Sequence, residues 1–306
     1  MKQGAHMQDS TMNRRKALVA LGATASITSA IDPIVRPVDG SRFKLGLAAY
    51  SLRKYLDLKS AVKPLMTLQG FANFAAQHGC DAIEPTSYYF SDTSLSAIIS
   101  LKNHCARLGI EITGSAVGNN FCQPDESKRN EQVKLVTDWL DRVSLLGGRT
   151  LRVFAGSVSK GTTEEQCIRW TVDCLKMACD HAAKVGVYVA LENHGGITAT
   201  ADQLIGLVKA VDHPWFGVNL DSGNFKTDDP YVDLEKLAPY AVVTQFKSEI
   251  QPKGQGKRRA DYEKLVSILK KAKYSGYVVL EYEAAEEPMD SIPKELKLLR
   301  KSLLQG

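Results

Sequence analysis

Carboxylate side chains end several of the short apolar runs in this 306-residue sequence. The run "VALENHGG" (residues 189–196) turns within one position from apolar residues to Glu192, Asn193 and His194. The polar residues that end other runs are Glu84, Asp221, Gln245, Lys247, Glu281 and Glu283. Acidic and basic side chains can transfer protons, and clustered oxygen atoms can hold a cation. The pattern therefore indicates an acid–base site, a metal site or both.

A site with this many carboxylates would need a compensating positive charge. Carboxylates that face an apolar interior repel one another unless a cation or protons compensate, and a divalent metal would do so. Because the donors are carboxylate and amide oxygens, with His194 as the one histidine at a run end, we expect Mn²⁺ or Mg²⁺ rather than Zn²⁺. Any one carboxylate alone is more simply explained as a helix cap or a solvated side chain. Four in register favour a shared site.

Eight β-rich runs supply these side chains. They begin at residues 43, 80, 110, 149, 187, 216, 241 and 277. Amphipathic stretches that often finish on glycine separate them and predict helices. Strands that alternate with helices pair in parallel, and eight such units favour one (β/α)8 TIM barrel over an open doubly wound sheet. The polar residues then fall at the C-terminal ends of the strands, where the active sites of such barrels lie.

The N-terminal residues are typical of an export signal. Arg14 and Arg15 precede an apolar run that ends in small residues at Ala30. The adjacent arginines indicate the twin-arginine route. We therefore expect a signal over residues 1–30, a linker over 31–42 and the barrel over 43–306, with the protein exported to the periplasm or beyond. A disordered basic tail on a cytoplasmic protein is the alternative.

Net charge and hydropathy limit the kinds of partner that the sequence predicts. Without residues 1–30 the formal net charge falls from +5 to +2, so a nucleic-acid partner is not implied. No apolar stretch is long enough to predict a membrane span.

The six cysteines include no CxxC pair, and we interpret them mostly as small buried apolar residues. This interpretation is at odds with an oxidising compartment. The sequence leaves open whether the protein forms a homo-oligomer.

The strand ends resemble those of a known family. The segments "GCDAIEP", "LENHGG", "GVNLDSGNF", "QFK" and "GYVVLEYE" are similar to the matching segments of the xylose-isomerase-like TIM barrels. The similarity covers nearly the whole chain after residue 42. This family includes sugar isomerases, ketose 3-epimerases, inosose dehydratases and apurinic endonucleases. The resemblance implies the same barrel and a small carbohydrate substrate.

The resemblance also implies roles for individual residues. In epimerase-like members a divalent cation is held by Glu, Asp, His and Glu, and the matching residues here are Glu192, Asp221, Gln245 and Glu281. The two glutamates would also exchange protons with the sugar. Gln245 and Asn224 both stand where many relatives have histidine. Gln245 would be a neutral, weaker ligand, and the missing imidazoles count against the trinuclear zinc site of the endonucleases.

Together these features predict a sugar isomerase or epimerase. Glu192 and Glu281 are the expected acid and base next to a carbonyl, and a metal with Lys247 would stabilise the enediolate. The other expected substrate contacts are Glu84, Asn193, His194 and Asn224. Simple pairing with the carboxylates explains Lys247 equally well. A 3-keto-glycoside lyase or a hydratase of the same fold is the main alternative, and a non-catalytic sugar-binding barrel is the second.

Overall fold

The computed structural model of the chain describes Met1, Ile34 and residues 42–59 and 64–305. The predicted export signal and most of the predicted linker lie outside these residues, so both stay predictions. In the part of the chain that is described, no helix is long and apolar enough to cross a membrane.

Parallel strands form the barrel that the sequence predicts. In chain order the strands are β1 (Phe43–Ala48), β2 (Ala82–Glu84), β3 (Glu111–Ile112), β4 (Gly114–Ala116), β5 (Thr150–Val153), β6 (Tyr188–Glu192), β7 (Phe216–Asp221), β8 (Ala241–Phe246), β9 (Glu249–Ile250), β10 (Arg258–Arg259) and β11 (Gly276–Leu280). The main sheet has the order β3-β2-β1-β11-β8-β7-β6-β5-β4, and β9 and β10 form a separate antiparallel ribbon.

The third predicted strand is split into β3 and β4 by Thr113, and this split brings the two ends of the sheet together. The Thr113 amide donates to the carbonyl of Ile83 in β2, and its carbonyl accepts from the amide of Arg149 before β5. Predicted strands five to eight are therefore β6, β7, β8 and β11. The prediction of a single-domain TIM barrel is confirmed.

Helices cover the outside of the sheet. They are α1 (Arg53–Leu56), α2 (Leu68–Gln77), α3 (Leu95–Leu108), α4 (Glu126–Leu146), α5 (Glu164–Val185), α6 (Ala201–Val211), α7 (Pro230–Leu237), α8 (Tyr262–Lys271) and α9 (Pro288–Gln305). Side-chain caps stabilise the first turns of several helices. Thr163 forms a capping box at the start of α5, and Thr200 forms one at the start of α6. Gly109 and Gly147 end α3 and α4 in the left-handed conformation, as the sequence predicts.

Two apolar layers support the site. The larger lies between the sheet and the helices, and the smaller fills the barrel. The inner layer contains Ala48, Ala82, Ala190, Val243, Tyr277 and Val279. Because side chains two positions apart on a strand point the same way, the residues that follow this layer also face the barrel interior. They are Glu84, Glu192, Gln245 and Glu281.

The six cysteines provide a test of the packing. All are buried and free, which confirms their interpretation as small apolar residues. Burial raises the pKa of Cys80 to about 12 and that of Cys105 to about 11. Because the thiolate is the reactive form, we expect native protein at pH 8 to react very slowly with Ellman's reagent and all six thiols to react in guanidinium. Rapid reaction of a native thiol would contradict this packing.

Candidate active site at the barrel mouth

The structure brings the predicted site residues together at the C-terminal ends of the strands. The buried members are Glu84, Glu192, Asn193, Asp221, Gln245, Lys247 and Glu281. Asn224 is half-buried, whereas His194 is exposed. Asp221 has no exposed surface, and Glu281 is 4% exposed. These charged groups therefore interact with each other far more than with water.

Lys247 lies among three carboxylates. Its Nζ is 3.3 Å from Oδ2 of Asp221 and 2.9 Å from Oε1 of Glu283. It also donates a short hydrogen bond to Oε2 of Glu281. Burial alone would lower the pKa of Lys247, but the carboxylates of Asp221 and Glu281 outweigh it and raise this pKa well above its ordinary value. The side chain is therefore a cation at neutral pH.

The segment after β7 fixes the stem of this lysine. The Lys247 amide donates to Oγ of Ser222 at 2.8 Å, and the Gly223 amide donates to Oδ1 of Asp221 at 2.8 Å. A Cβ atom at Gly223 would lie 2.6 Å from Cγ of Lys247. Because that distance is too short for any side chain, the glycine of "LDSGNF" is what lets Lys247 lie against the end of β7.

Arg152 is a second buried cation, and the sequence analysis missed it. Its Nε lies 3.0 Å from Oε2 of Glu192, and one of its terminal nitrogens donates to the carbonyl of Val117. Its guanidinium covers the ring of Phe154, with Cζ 4.1 Å from the ring centroid. The alternation of "RTLRVFAG" contained the signal, because it gives Arg152 an inward-facing position on β5.

The two predicted proton-transfer residues have opposite pKa shifts. Burial raises the pKa of Glu192 well above its usual value; Arg152 opposes this shift, and Asp221 and Glu281 add to it. Burial acts on Glu281 as well, but the charge and hydrogen bond of Lys247 lower its pKa overall. Glu281 is therefore the more acidic of the two and is suited to accept a proton, whereas Glu192 holds its proton more strongly and is suited to donate one.

The Gln245 side-chain amide is hydrogen-bonded to two neighbouring side chains. Its Oε1 accepts from Nδ2 of Asn219 at 2.8 Å, and its Nε2 donates to Oε1 of Glu84 at 2.7 Å. Asn219 was also missed by the sequence analysis. It faces the barrel interior two positions before Asp221, so the alternation of β7 contained its signal. These contacts use both ends of the Gln245 amide and link β7, β8 and β2.

The other predicted substrate contacts differ in their freedom to bind a ligand. Asn193 donates to and accepts from the backbone of Asp221, at 2.9 Å in both cases, so its amide ties the end of β6 to the end of β7. The ring of His194 packs against Phe154 with centroids 4.4 Å apart. Part of the ring surface is exposed, but its contact with the barrel mouth removes water from the rest; this desolvation and the charge of Arg152 lower the pKa of His194, so it is neutral at pH 7. Asn224 donates to Oε1 of Glu192 at 2.8 Å. Direct contacts with substrate stay predictions for all three.

The arrangement of donors does not fit the predicted divalent cation. Among the described residues, no group of three or more His, Cys, Asp or Glu side chains is arranged to hold a metal ion. Asp221 and Glu281 both face the ammonium of Lys247, and the Gln245 oxygen accepts a hydrogen bond. Oδ2 of Asp221 and Oε2 of Glu192 have no hydrogen-bond donor, and each faces a side-chain cation instead. Metal binding by this chain stays a prediction.

Two cavities border this cluster. One of about 120 Å³ is lined by Asn224, Lys247 and Glu283, among others. The other, of about 190 Å³, is lined by residues that include Phe154 and His194. The first cavity thus borders the charged cluster at Lys247 and Glu283, whereas the second lies beside it, at His194 and Phe154.

Glu84 gives the site a pH dependence. Burial, with a contribution from Glu281, raises the pKa of Glu84 to about 7. An unfolded glutamate loses its proton near pH 4.3, so between about pH 4 and 7 the folded state holds an extra proton and stability falls as the pH rises. Asp221 contributes in the same direction, because burial and Glu281 raise its pKa to about 7 against the opposing charge of Lys247.

The substitution Glu84→Gln tests this dependence, because glutamine keeps an oxygen that can accept from Gln245. We expect the free energy of unfolding of the variant, relative to wild type, to increase between pH 4.5 and 7.5 by up to about 3 kcal/mol. Urea unfolding at four pH values measures it. A variant that follows the wild-type profile in parallel would show that Glu84 is already ionised at pH 4.5.

Comparisons with known proteins agree with the fold. The family model described as xylose isomerase-like TIM barrel matches residues 72–302. No curated protein sequence matches the chain. Its fold is similar to that of D-psicose 3-epimerase from Clostridium cellulolyticum H10, with 18% identity, a TM-score of 0.66, and coverage of 85% of this chain and 99% of that one.

Two further solved structures have the same fold. A 3-keto-D-glucoside 4-epimerase from E. coli is 18% identical, with a TM-score of 0.66 and coverage of 85% of this chain and all of that one. The IOLI protein, whose structure contains a zinc atom, is 21% identical, with a TM-score of 0.67 and coverage of 86% and 97%. At these identities the likeness shows the fold alone. Because the family model spans most of the chain, the protein belongs to the xylose isomerase-like TIM barrel family.

Proposed function

We propose that this protein is a sugar isomerase or epimerase that moves a proton on a carbon next to a carbonyl. The observation that carries the proposal is the pair of buried glutamates with opposite protonation preferences, Glu281 at the end of β11 and Glu192 at the end of β6. Two strands, β7 and β8, separate them in the sheet order, and Lys247 extends from the end of β8 between them. Pairs of this kind identify an acid and a base.

The reaction follows from these positions. The Glu281 carboxylate takes the proton from the carbon next to the carbonyl, and the electron pair of that C–H bond moves onto the carbonyl oxygen. The ammonium of Lys247 stabilises the resulting enediolate. Glu192 then returns a proton, either to the opposite face of the same carbon as the carbonyl re-forms, or to the former carbonyl carbon. In the second case the hydroxyl proton of the first carbon moves to the former carbonyl oxygen, and the new carbonyl forms at the first carbon. The first outcome is epimerisation and the second is isomerisation, and both conserve all atoms of the substrate.

The related structures support this class of chemistry. Two of them are named as epimerases, one of D-psicose and one of a 3-keto-D-glucoside. Both names describe a sugar that carries a ketone, which acidifies the neighbouring C–H bond. We infer a substrate of the same kind here, a small carbohydrate with a free or potential carbonyl group.

A 3-keto-glycoside lyase is the alternative that the site also allows. The same base would take the same proton, but the intermediate would then expel the group on the next carbon instead of accepting a proton. Glu192 as an acid could protonate that leaving group. The keto-glucoside named for one related structure supports this alternative.

Solvent exchange separates these reactions. We would incubate the protein with a panel of ketoses, aldoses and 3-keto-glycosides in D₂O and record proton NMR spectra. An isomerase or epimerase places deuterium on a carbon and yields a second sugar, whereas a lyase releases the aglycone. Binding of a sugar without exchange or release for any member of the panel would support a non-catalytic sugar-binding barrel and contradict the proposal.

We also propose that residues 1–30 direct export, on the basis of Arg14 and Arg15 before the apolar run. An exported enzyme would meet free sugars and glycosides rather than sugar phosphates. Expression of the full chain in a bacterium with a twin-arginine system, followed by cell fractionation and N-terminal sequencing, tests this. A full-length protein found only in the cytoplasm would contradict it.

A further inference from the structure

We propose that the ammonium group of Lys247 takes the place of the divalent cation at this site, so that the protein holds no stoichiometric divalent ion there. The inference goes beyond the proposed function, because it concerns the charge that compensates the carboxylates and holds for an isomerase, a lyase or a binding protein. It rests on the contacts of Lys247, the contacts of Gln245 and the packing of the Lys247 stem.

The first observation is the position of the ammonium group. It contacts Asp221 and Glu281, which are two of the four residues that the family resemblance matches to metal ligands. Glu283 contributes a third carboxylate, with its oxygen 2.9 Å from Nζ. Lys247 is itself buried, so this charge is not shared with bulk water. A single side chain therefore places a positive charge against the carboxylates at the ends of β7 and β11.

The second observation concerns the hydrogen bonds and ion pairs of Gln245 and Glu192, the other two residues that the resemblance matches to metal ligands. Gln245 directs its oxygen to Asn219 and its nitrogen to Glu84, so both ends of its amide already have partners within the chain. Glu192 is compensated by Arg152 through its Oε2 and by Asn224 through its Oε1. All four matched residues thus have partners from within the chain.

The third observation is the packing of the Lys247 stem. A divalent ion bound between Asp221 and Glu281 would lie beside the ammonium and repel it, so metal binding would require this side chain to move away. Its stem lies against Gly223, at a distance that excludes even a methyl group there. Its backbone amide is bonded to Ser222. The start of the side chain is therefore fixed at the end of β7, on the side of the site where its ammonium meets Asp221 and Glu281.

The test uses the full-length chain, freed of metal with EDTA and dialysed, and titrated with MnCl₂ and separately with ZnCl₂ by calorimetry. For wild type we expect no binding near one equivalent per chain at micromolar metal and no rise in the melting temperature. The variant Gln245→His with Lys247→Met restores an imidazole and removes the ammonium. We expect it to bind one Mn²⁺ per chain at least 100-fold more tightly than wild type, with a melting temperature that rises with metal concentration.

A matched control variant accompanies these titrations, and either of two results would overturn the proposal. The variant Gln245→His with Lys253→Met makes the same chemical changes but removes an exposed lysine, and we expect it to behave like wild type. Wild-type protein that binds one equivalent of Mn²⁺ or Zn²⁺ with micromolar affinity would overturn the proposal. A folded Gln245→His, Lys247→Met variant without metal affinity would overturn it too. If that variant fails to fold, the wild-type titration alone still decides.

Discussion

Replacement of Glu281 by glutamine is expected to lower kcat by roughly 10²- to 10⁴-fold, because it removes the carboxylate that takes the proton from the substrate carbon. Glutamine has the same shape and can still accept a hydrogen bond from Lys247. The loss should therefore be seen in kcat and not in the fold. Initial rates on a substrate identified from the sugar panel, together with circular dichroism of the variant, measure both quantities.

The matched control for this substitution is Glu131→Gln, on the exposed surface of α4. It makes the same chemical change far from the barrel mouth, and kcat should stay at the wild-type value. If Glu281→Gln kept wild-type kcat, proton abstraction by Glu281 would be excluded. A loss of helical signal in Glu281→Gln but not in Glu131→Gln would instead mean that the Lys247 ion pair is needed for folding.

Replacement of Arg152 by methionine has the largest expected effect on stability. We expect it to lower the free energy of unfolding by about 3–5 kcal/mol, because removal of one partner of a buried pair leaves Glu192 without the guanidinium that stabilises its charged form. The hydrogen bond to the carbonyl of Val117 and the contact with Phe154 are lost at the same time. Urea unfolding at pH 7 measures the change.

The double variant Arg152→Met with Glu192→Gln separates the charge from the packing. If uncompensated charge causes most of the loss, the double variant should be clearly more stable than Arg152→Met alone, and the difference gives the coupling between the two residues. Equal stability of the two variants would show that packing and the Val117 hydrogen bond dominate. A loss below about 1 kcal/mol in the single variant would contradict a buried ion pair at this position.

The fold could be predicted from the sequence because its signals are local. Eight β-rich runs separated by amphipathic helices predict a parallel barrel, and the carboxylates at the strand ends predict the position of the site. The structure adds the break at Thr113, which divides one predicted strand into β3 and β4. It also adds β9 and β10 in the stretch after β8, where the sequence predicts no strand, because Arg258–Arg259 pairs antiparallel with Glu249–Ile250.

The partners within the site were harder to predict because they depend on distant segments. Gln245 bonds to Glu84, 161 positions earlier in the chain. Glu192 faces Arg152 from a neighbouring strand, and nothing in either run alone indicates that pairing. The strand pattern predicts which residues face inward, but the neighbour each one meets depends on the stagger of the strands. The sequence therefore predicts the members of the site, whereas its hydrogen bonds and ion pairs require the three-dimensional arrangement.

The most direct test of the two-glutamate site is deuterium exchange by the single variants Glu192→Gln and Glu281→Gln. Each would be incubated in D₂O with each of the two sugars that wild type interconverts, and exchange would be followed by NMR. The acid–base assignment predicts that wild type exchanges both sugars, whereas each variant interconverts neither and can exchange only the sugar whose proton faces the remaining glutamate. If both variants exchanged and interconverted the two sugars as fast as wild type does, the assignment of these two residues would be contradicted.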